Sequence, residues 1–485
     1  MAVDETKRLP NHQDATDIKE TLAKGFENVA LALHAQAASG GSSTQVKSWA
    51  QIQQIVRSGL APQVFSVGQQ IEVEKASAVT GGSSNSGLTV SVTPETFLAK
   101  TGHAENAYVE FLYDGSAWTH GGAPVDLVEY GVTVKGTPAV DDVVTIHETA
   151  SKIVFDILGF DQETPADESR THSMTLGMHY TFAGVVFDAP EAVYAFPDGL
   201  PAGSYSMTIG NMETAYGGGK TWYFTLANAI PKGGQLVIPW GYNVQISGQK
   251  MSSYASPDTA TATESVSISD AAISGAIELG TIANNAPHDE SVTVSGTSYA
   301  VKCNNGYRVK YGSNRWMTSA IRQWCNSASA KGSVWKSQTV FDRRPSWADS
   351  LDGFLYGLDP ELVSVIGKVK KDTDQCGAVA DGTGIDTTTE SVFLLSNYEI
   401  GSGSKTGYVA YKYWLNLLGG KAIGDWSTRS EFIKTNKAGG GAQYWWLRSP
   451  CVGRAYVARL VRASGNVNSN AAYYGHQAAV ALSII

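Results

Sequence analysis

Charge is scarce in this chain. Asp, Glu, Lys and Arg make up only 17% of its 485 residues, and the balance is −9. Nowhere do Lys and Arg gather into a stripe that offsets this total, which argues against a nucleic-acid footprint. Long apolar runs are missing as well: a spanning helix needs about 20 apolar residues in a row, and no such run occurs, so no membrane insertion is expected. The opening "MAVDETKRLPNHQDATDIKE" carries no apolar core of its own and does not read as a secretory signal. Cysteine is rare. Cys303, Cys325, Cys376 and Cys451 lie far apart without a C-x-x-C pair, so zinc is not expected, and small buried thiols in a reducing cytoplasm fit best. Cys451 differs in lying next to a polar, display-like segment.

What the chain has in quantity is Gly (51) and Tyr (22), with many Ser and Thr. That balance favours loop-rich β structure over helical bundles. Its length suits about two to four domains. Residues 1–45 are expected to hold a helix over 13–38, with Asp14 or Asp17 as cap and Ile18, Leu22, Phe26, Val29 and Leu33 on one apolar stripe. That stripe pairs with copies of itself, or packs on the next domain or a partner. "AASGGSSTQ" then acts as a joint. "VKSWAQIQQIVRSG" predicts a second helix with Trp49, Ile52, Ile55 and Val56 inward and Gly59 as its stop. Alternating strands divide into β-rich domains at 46–150 and 151–259, and 260–299 is linker or ambiguous. From 300 to 485 the texture changes to a compact, Trp-dense domain.

Motifs for chemistry are weak. "YGGGKTWYF" contains Gly-Lys-Thr but has Thr214 where a P-loop needs its first Gly. His172 and His179 lack the spacing of a metal pair. Asp161, Glu163, Asp167 and Glu168 share a loop that matches no calcium-ligand pattern and reads as solvated. No cofactor and no metal is expected.

The stretches "YGSNRWMTSAIRQWCNS", "SVFLLSNYEI" and "YWWLRSP", followed by a Gly/Asn/Ala-rich tail, carry a resemblance. Together they resemble the C-type-lectin-fold domain related to formylglycine-generating enzymes, and more narrowly the variable proteins of diversity-generating retroelements. The resemblance covers roughly residues 300–485 and implies a C-type-lectin-like α+β domain. It also implies that the segment after "WWLRSP" is rewritten from one copy to the next. By that analogy the varied, ligand-contacting positions are Arg454, Tyr456, Val457, Leu460, Arg462, Asn466, Asn468, Ser469, Asn470, Ala471, Tyr473, Tyr474 and His476. Gly453, Ala455, Ala463, Ser464 and Gly465 look constant. The calcium loop of sugar-binding members, with Glu-Pro-Asn or Gln-Pro-Asp, is absent. The enzyme's pair of reactive cysteines is reduced to Cys451.

The residues themselves point the same way. Residues 464–485, "SGNVNSNAAYYGHQAAVALSII", mix Asn, Ser, Tyr and His before Val480, Leu482, Ile484 and Ile485. The first group is the vocabulary of antibody loops, in which Tyr supplies rigid contact area and Asn and Ser adaptable hydrogen bonds. The second reads as a buried strand that holds the display down. Arg454 and Arg462 suit carboxylates or ring faces.

The expected fold is therefore mainly β with some α: an N-terminal helix, middle β-sandwich-like domains and a C-terminal lectin-like domain. The expected function is host recognition by a phage tail or tail-fibre protein. Its partners would be a cell-surface protein or glycan and other virion tail proteins, with a homotrimer for avidity. Such a protein resides in the virion tail and is assembled in the host cytoplasm. The alternatives are an enzyme, either a formylglycine-generating-like oxidase or a glycan-degrading tail protein, and a bacterial surface-display protein.

Overall fold

The segment that closes the sequence is an inner strand of a nine-stranded sheet and part of the main core. The computed structural model describes residues 48–101, 108–209, 220–237, 251–252, 265–266, 275–282, 286–377 and 381–485. The helix expected over 13–38, the joint after it and part of the stretch 260–299 expected as linker or ambiguous fall outside these residues. Strand accounts for 40% and helix for 14%, so the chain is mainly β with some α.

Every residue of the strand Val480–Ile484 is buried. One side of it pairs with Met174–Met178, placing Leu482 opposite Leu176. The other side pairs with Val392–Leu394 and Ile366–Gly367, placing Leu482 opposite Val392 and Ile484 opposite Ile366. A strand covered on both faces shows a continuous apolar run in place of alternation, which is how "AAVALSII" reads. The nine-stranded sheet continues from Met174–Met178 through Val143–Phe160 to Tyr108–Tyr113, Trp118–His120 and Ala123–Pro124. Gln70–Ser83 pairs along Val143–Phe160.

This topology corrects the linear division into domains. The boundary expected at 150 falls inside the strand Val143–Phe160. The main core draws on three separate stretches: Trp49 to Val73, Ile153 to Phe187, and Trp316 to Ile485. Two β modules are inserted into it. One has its own core of Phe97, Phe111, Leu127, Val132, Val144 and Ile146. The other is centred on Tyr194, Tyr205, Phe224, Leu279 and Val301. The paired strands Gln70–Ser83 and Val143–Phe160 pass from the main core into the first module, and their register slips between Ala76 and Ala78. Lys75 sits at this passage, buried, with its ammonium on the carbonyls of Phe354 (2.8 Å) and Tyr356. Burial pulls its pKa down to about 8.

The helix Trp49–Arg57 forms where the periodicity places it. Ser48 caps it by accepting from Gln51 N, and Trp49, Ile52, Ile55 and Val56 are buried. From its exposed side Gln53 Nε2 (2.8 Å) and Arg57 Nε (3.2 Å) donate to the carbonyl oxygen of Ile485. The helix therefore packs on the end of the sheet and is not the start of a separate domain.

Two of the stretches that carried the family resemblance are joined by a buried ionic network. Arg448, from the strand Trp445–Pro450, grips both oxygens of Glu399 and also donates to Leu394 O (2.9 Å) and Thr373 Oγ1 (3.1 Å). Lys371 lies 2.5 Å from Glu163 and 3.1 Å from Glu399, and Tyr411 completes the group. Burial alone would raise the Glu399 carboxyl, but the charges of Arg448 and Lys371 override it and hold it down at about 2. Glu163 was expected in a solvated loop. Its side chain is 2% exposed because Lys371 supplies the partner that lets a carboxylate be buried.

Leu482 has no exposed surface and sits between two strands from distant parts of the sequence. Leu482→Ala is expected to cost about 2–5 kcal/mol in denaturant-induced unfolding. A loss well under that range would show that this strand is not the keystone described.

Candidate ligand-binding surface

A second sheet carries the display segment. Its five strands run in the order Phe182–Val186, Gly475–Ala478, Trp445–Pro450, Val457–Val461 and Val467–Ala471, so Val467–Ala471 is an edge. Its floor is rigid. Trp445 and Trp446 are fully buried, and their indole N–H groups donate to Phe432 O (3.1 Å) and Val185 O (2.9 Å). Asn314, from "YGSNRW", is buried and donates to Arg454 O (2.7 Å) and Val457 O (2.8 Å), which sets the path of the chain between the strands. The next turn requires glycine. Gly465 has φ 79° and a Cβ there would stand 2.0 Å from Arg429 O.

Above this floor the rings form a continuous row. Tyr307 and Tyr311 come from the helix Gly306–Tyr311, which Asn305 caps. Tyr456 stacks on both, at 4.6 Å and 5.0 Å between centroids. Tyr311 lies 5.7 Å from Tyr473, Tyr473 lies 4.3 Å from Tyr474, and Tyr474 lies 6.2 Å from His476. His476 in turn stacks on Tyr444 at 5.4 Å and meets the edge of Trp446 at 4.8 Å. Tyr456, Tyr473, Tyr474 and His476 are half-buried, and Tyr444 is exposed. Offset and tilted rings at these separations attract one another beyond simple area burial.

Beside the rings runs a strip of amides. Asn466, Asn468 and Asn470 alternate along the edge strand, which puts their side chains on one face. Asn466 Nδ2 donates to Trp426 O (3.1 Å) and Thr428 Oγ1 (2.9 Å), and Asn468 Nδ2 donates to Asn466 Oδ1 (2.7 Å). Asn470 Oδ1 accepts from Ala471 N, so its Nδ2 is the donor to His476 Nε2 at 2.9 Å. That bond needs an unprotonated acceptor nitrogen, and burial pushes the imidazole down to about 4.

At the far end of the strip stands Trp426. The residue is 45% exposed, and its backbone has φ 64°, a left-handed conformation that a bulky side chain rarely adopts. Asp425 Oδ1 accepts its N–H (3.0 Å) and Asn466 holds its carbonyl. Arg459, paired with Asp425, backs the ring with its guanidinium carbon 3.6 Å from the centroid.

Three expected contact positions are corrected. Val457 (6% exposed), Leu460 (1%) and Ala471 (8%) are buried, because Val457–Val461 is covered on both faces and Ala471 lies opposite Val457. Ser469 is half-buried on the face opposite the amides, across from Arg459. Arg454 and Arg462 are exposed. The surface also gains residues that the sequence reading missed: Tyr307, Trp426, Tyr444 and the 73%-exposed Val452, with the buried Tyr311 supporting the rings from beneath. Only Val452, beside Cys451, had a local signal. The four cysteines are buried and form no disulfide, and Cys451 is buried with the rest despite its place beside the display segment. Among the described residues no cluster of His, Cys, Asp and Glu has the arrangement to hold a metal ion. Stacking on rings and hydrogen bonding to amides are what the surface offers.

A family model described as "Domain of unknown function (DUF6273)" matches residues 291–484. The matched stretch takes in the whole display segment but leaves out Trp49 to Val73 and Ile153 to Phe187, which complete the same core. No curated protein and no solved structure matches the chain.

The His476 imidazole has a lower pKa folded than its ordinary 6.5, so the unfolded chain takes up the proton first. The contribution of the neutral ring is complete above pH 6.5 and falls away as the pH drops toward 4. Wild-type stability is therefore expected to fall relative to His476→Gln across that interval, measured as paired melting curves. Parallel curves for the two proteins would contradict this environment for His476.

Proposed function

We propose that the chain is a host-recognition protein of the phage tail or tail-fibre type, and that the exposed and half-buried residues within 444–476, with Tyr307 and Trp426, bind its ligand. One observation carries the binding role: a row of half-exposed rings and amides is laid over a floor of fully buried Trp and aliphatic side chains. Rigid aromatic contact area flanked by adaptable amides is the composition of surfaces that recognise macromolecules. Assignment to a phage tail rests on the family resemblance of residues 300–485. Within that reading the ligand is a cell-surface protein or glycan, and a homotrimer would multiply weak contacts. Any rewriting of the display segment would fall on the exposed or half-buried positions and spare Val457, Leu460 and Ala471.

The test is adsorption of labelled protein to intact cells of a panel of bacteria. Replacing Arg454, Tyr473 and Tyr474 together by Ala is expected to lower adsorption about 30-fold or more, the scale of one lost hot spot. The same change should cost no more than about 1–2 kcal/mol of stability, the scale of the lost ring contacts. Unchanged adsorption, or a collapse of the fold, would contradict the proposal.

A further inference from the structure

Charge is spread unevenly along the chain. Its total is −9, yet from Phe432 to Ile485 there are six Lys and Arg and no Asp or Glu. Three of the six are spent in the fold: Lys434 is buried, and Arg448 and Arg459 are paired with Glu399 and Asp425. Lys437, Arg454 and Arg462 are exposed, and among the described residues no carboxylate pairs with them. Acids that border the surface are taken from within: Asp381, Asp425 and Glu431 are paired with Arg308, Arg459 and Arg429. A positive surface is thus left on a negative molecule.

The three free cations stand around the row of rings. Arg454 lies two residues before Tyr456, and Arg462 follows Val457–Val461, with its N–H on Asn466 O at 2.9 Å. Lys437 lies in the turn between Lys434–Thr435 and Ala442–Gln443, just before Tyr444. Arg454 and Arg462 leave opposite ends of a strand about 13 Å long at the usual rise, a spacing for a run of charges and not for one small anion. The amides between them are turned to donate. Asn466 Oδ1 accepts from Asn468 Nδ2 at 2.7 Å, Asn468 Oδ1 from Ser469 N and Asn470 Oδ1 from Ala471 N, both at 2.9 Å. A carboxamide nitrogen has two hydrogens, and Asn468 and Asn470 each spend one, on Asn466 and His476.

We infer that the ligand of this surface is an acidic polysaccharide, whose repeated carboxylates meet Arg454, Arg462 and Lys437 and whose hydroxyls accept from Asn468 and Asn470. This ligand class rests on the binding role proposed above for the same surface. A guanidinium matches a carboxylate with two parallel hydrogen bonds, and a sugar chain offers oxygen acceptors at short intervals between its charges. A row of donors punctuated by cations is the complement of such a polymer. The net charge of the molecule repels polyanions, so attraction to one must come from this local patch.

The test measures binding of the full chain to immobilised polygalacturonate, to its methyl ester and to polyglutamate. The wild type is expected to prefer polygalacturonate to the ester, which keeps the sugar chain and loses the charge, and to bind polyglutamate more weakly. Raising the ionic strength from about 0.01 M to about 0.15 M shortens the screening length from about 30 Å to about 8 Å and should weaken binding. Arg454→Glu with Arg462→Glu should lower the affinity about tenfold or more, the scale of two exposed ion pairs. The same reversal at Lys232 and Lys331, exposed and outside the surface, should leave it near the wild-type value. Equal binding of acid and ester would overturn the inference, as would a loss that the Lys reversals reproduce. Polyglutamate as the tighter ligand would assign an acidic protein in its place. In the cell-adsorption assay, a loss with Tyr473→Ala and Tyr474→Ala but none with the Arg reversal would overturn the acidic ligand and leave the binding role standing. A loss with neither pair would remove both.

Discussion

The burial of Val480–Ile484 between strands from far earlier in the chain is the constraint on which the rest depends. A strand paired along both edges and covered on both faces has no freedom to shift, because a slip of one residue would move every side chain to the opposite face. Leu482 meets Leu176 on one side and Val392 on the other. That triple contact joins two of the three stretches that share the core, and the helix Trp49–Arg57 brings in the third through Ile485. It also fixes the point from which Gly475–Ala478, and the display segment before it, departs.

Rigidity is then passed outward through polar as well as apolar contacts. Arg448 and Glu399 tie Trp445–Pro450 to the loop after Val392–Leu394. Asn314 fixes the chain between Trp445–Pro450 and Val457–Val461. Removing one member of a buried ion pair strands the other charge, so such a network enforces one arrangement even where its net contribution to stability is small. On that base Tyr456, Tyr473, Tyr474 and His476 are placed by one another's faces and lend little to the core beneath. The molecule separates residues that set the fold from residues that set the surface. That separation is what a binding protein with a replaceable contact surface needs, and it is the structural support for the proposed role.

Local features were readable in the sequence and long-range ones were not. The helix Trp49–Arg57 has its stripe and Gly59 in plain order, and the terminal strand announces itself by Val480, Leu482, Ile484 and Ile485. The domain division misled because nothing within residues 143–160 signals that half the strand serves one core and half another. Pairing partners are chosen by tertiary contacts that leave no local periodicity. Val457, Leu460 and Ala471 were expected on display by analogy with the family, yet the strand Val457–Val461 is covered on both faces and Ala471 lies opposite Val457. Tyr307, Tyr311 and Trp426 were missed because they are distant in sequence, and only the fold brings them to the row of rings and amides.

The central claim is that residues from the 50s to the 480s share one core, with the display surface laid upon it. Native-state hydrogen exchange under increasing denaturant reads this directly, since amides of one cooperative unit merge onto one opening free energy. The amides of Ile153, Leu176, Leu394 and Leu482 are predicted to converge on a single isotherm equal to global unfolding. If Ile153 and Leu176 opened at lower free energy than Leu394 and Leu482, the core would be two units, and the account given for the display surface would lose its foundation.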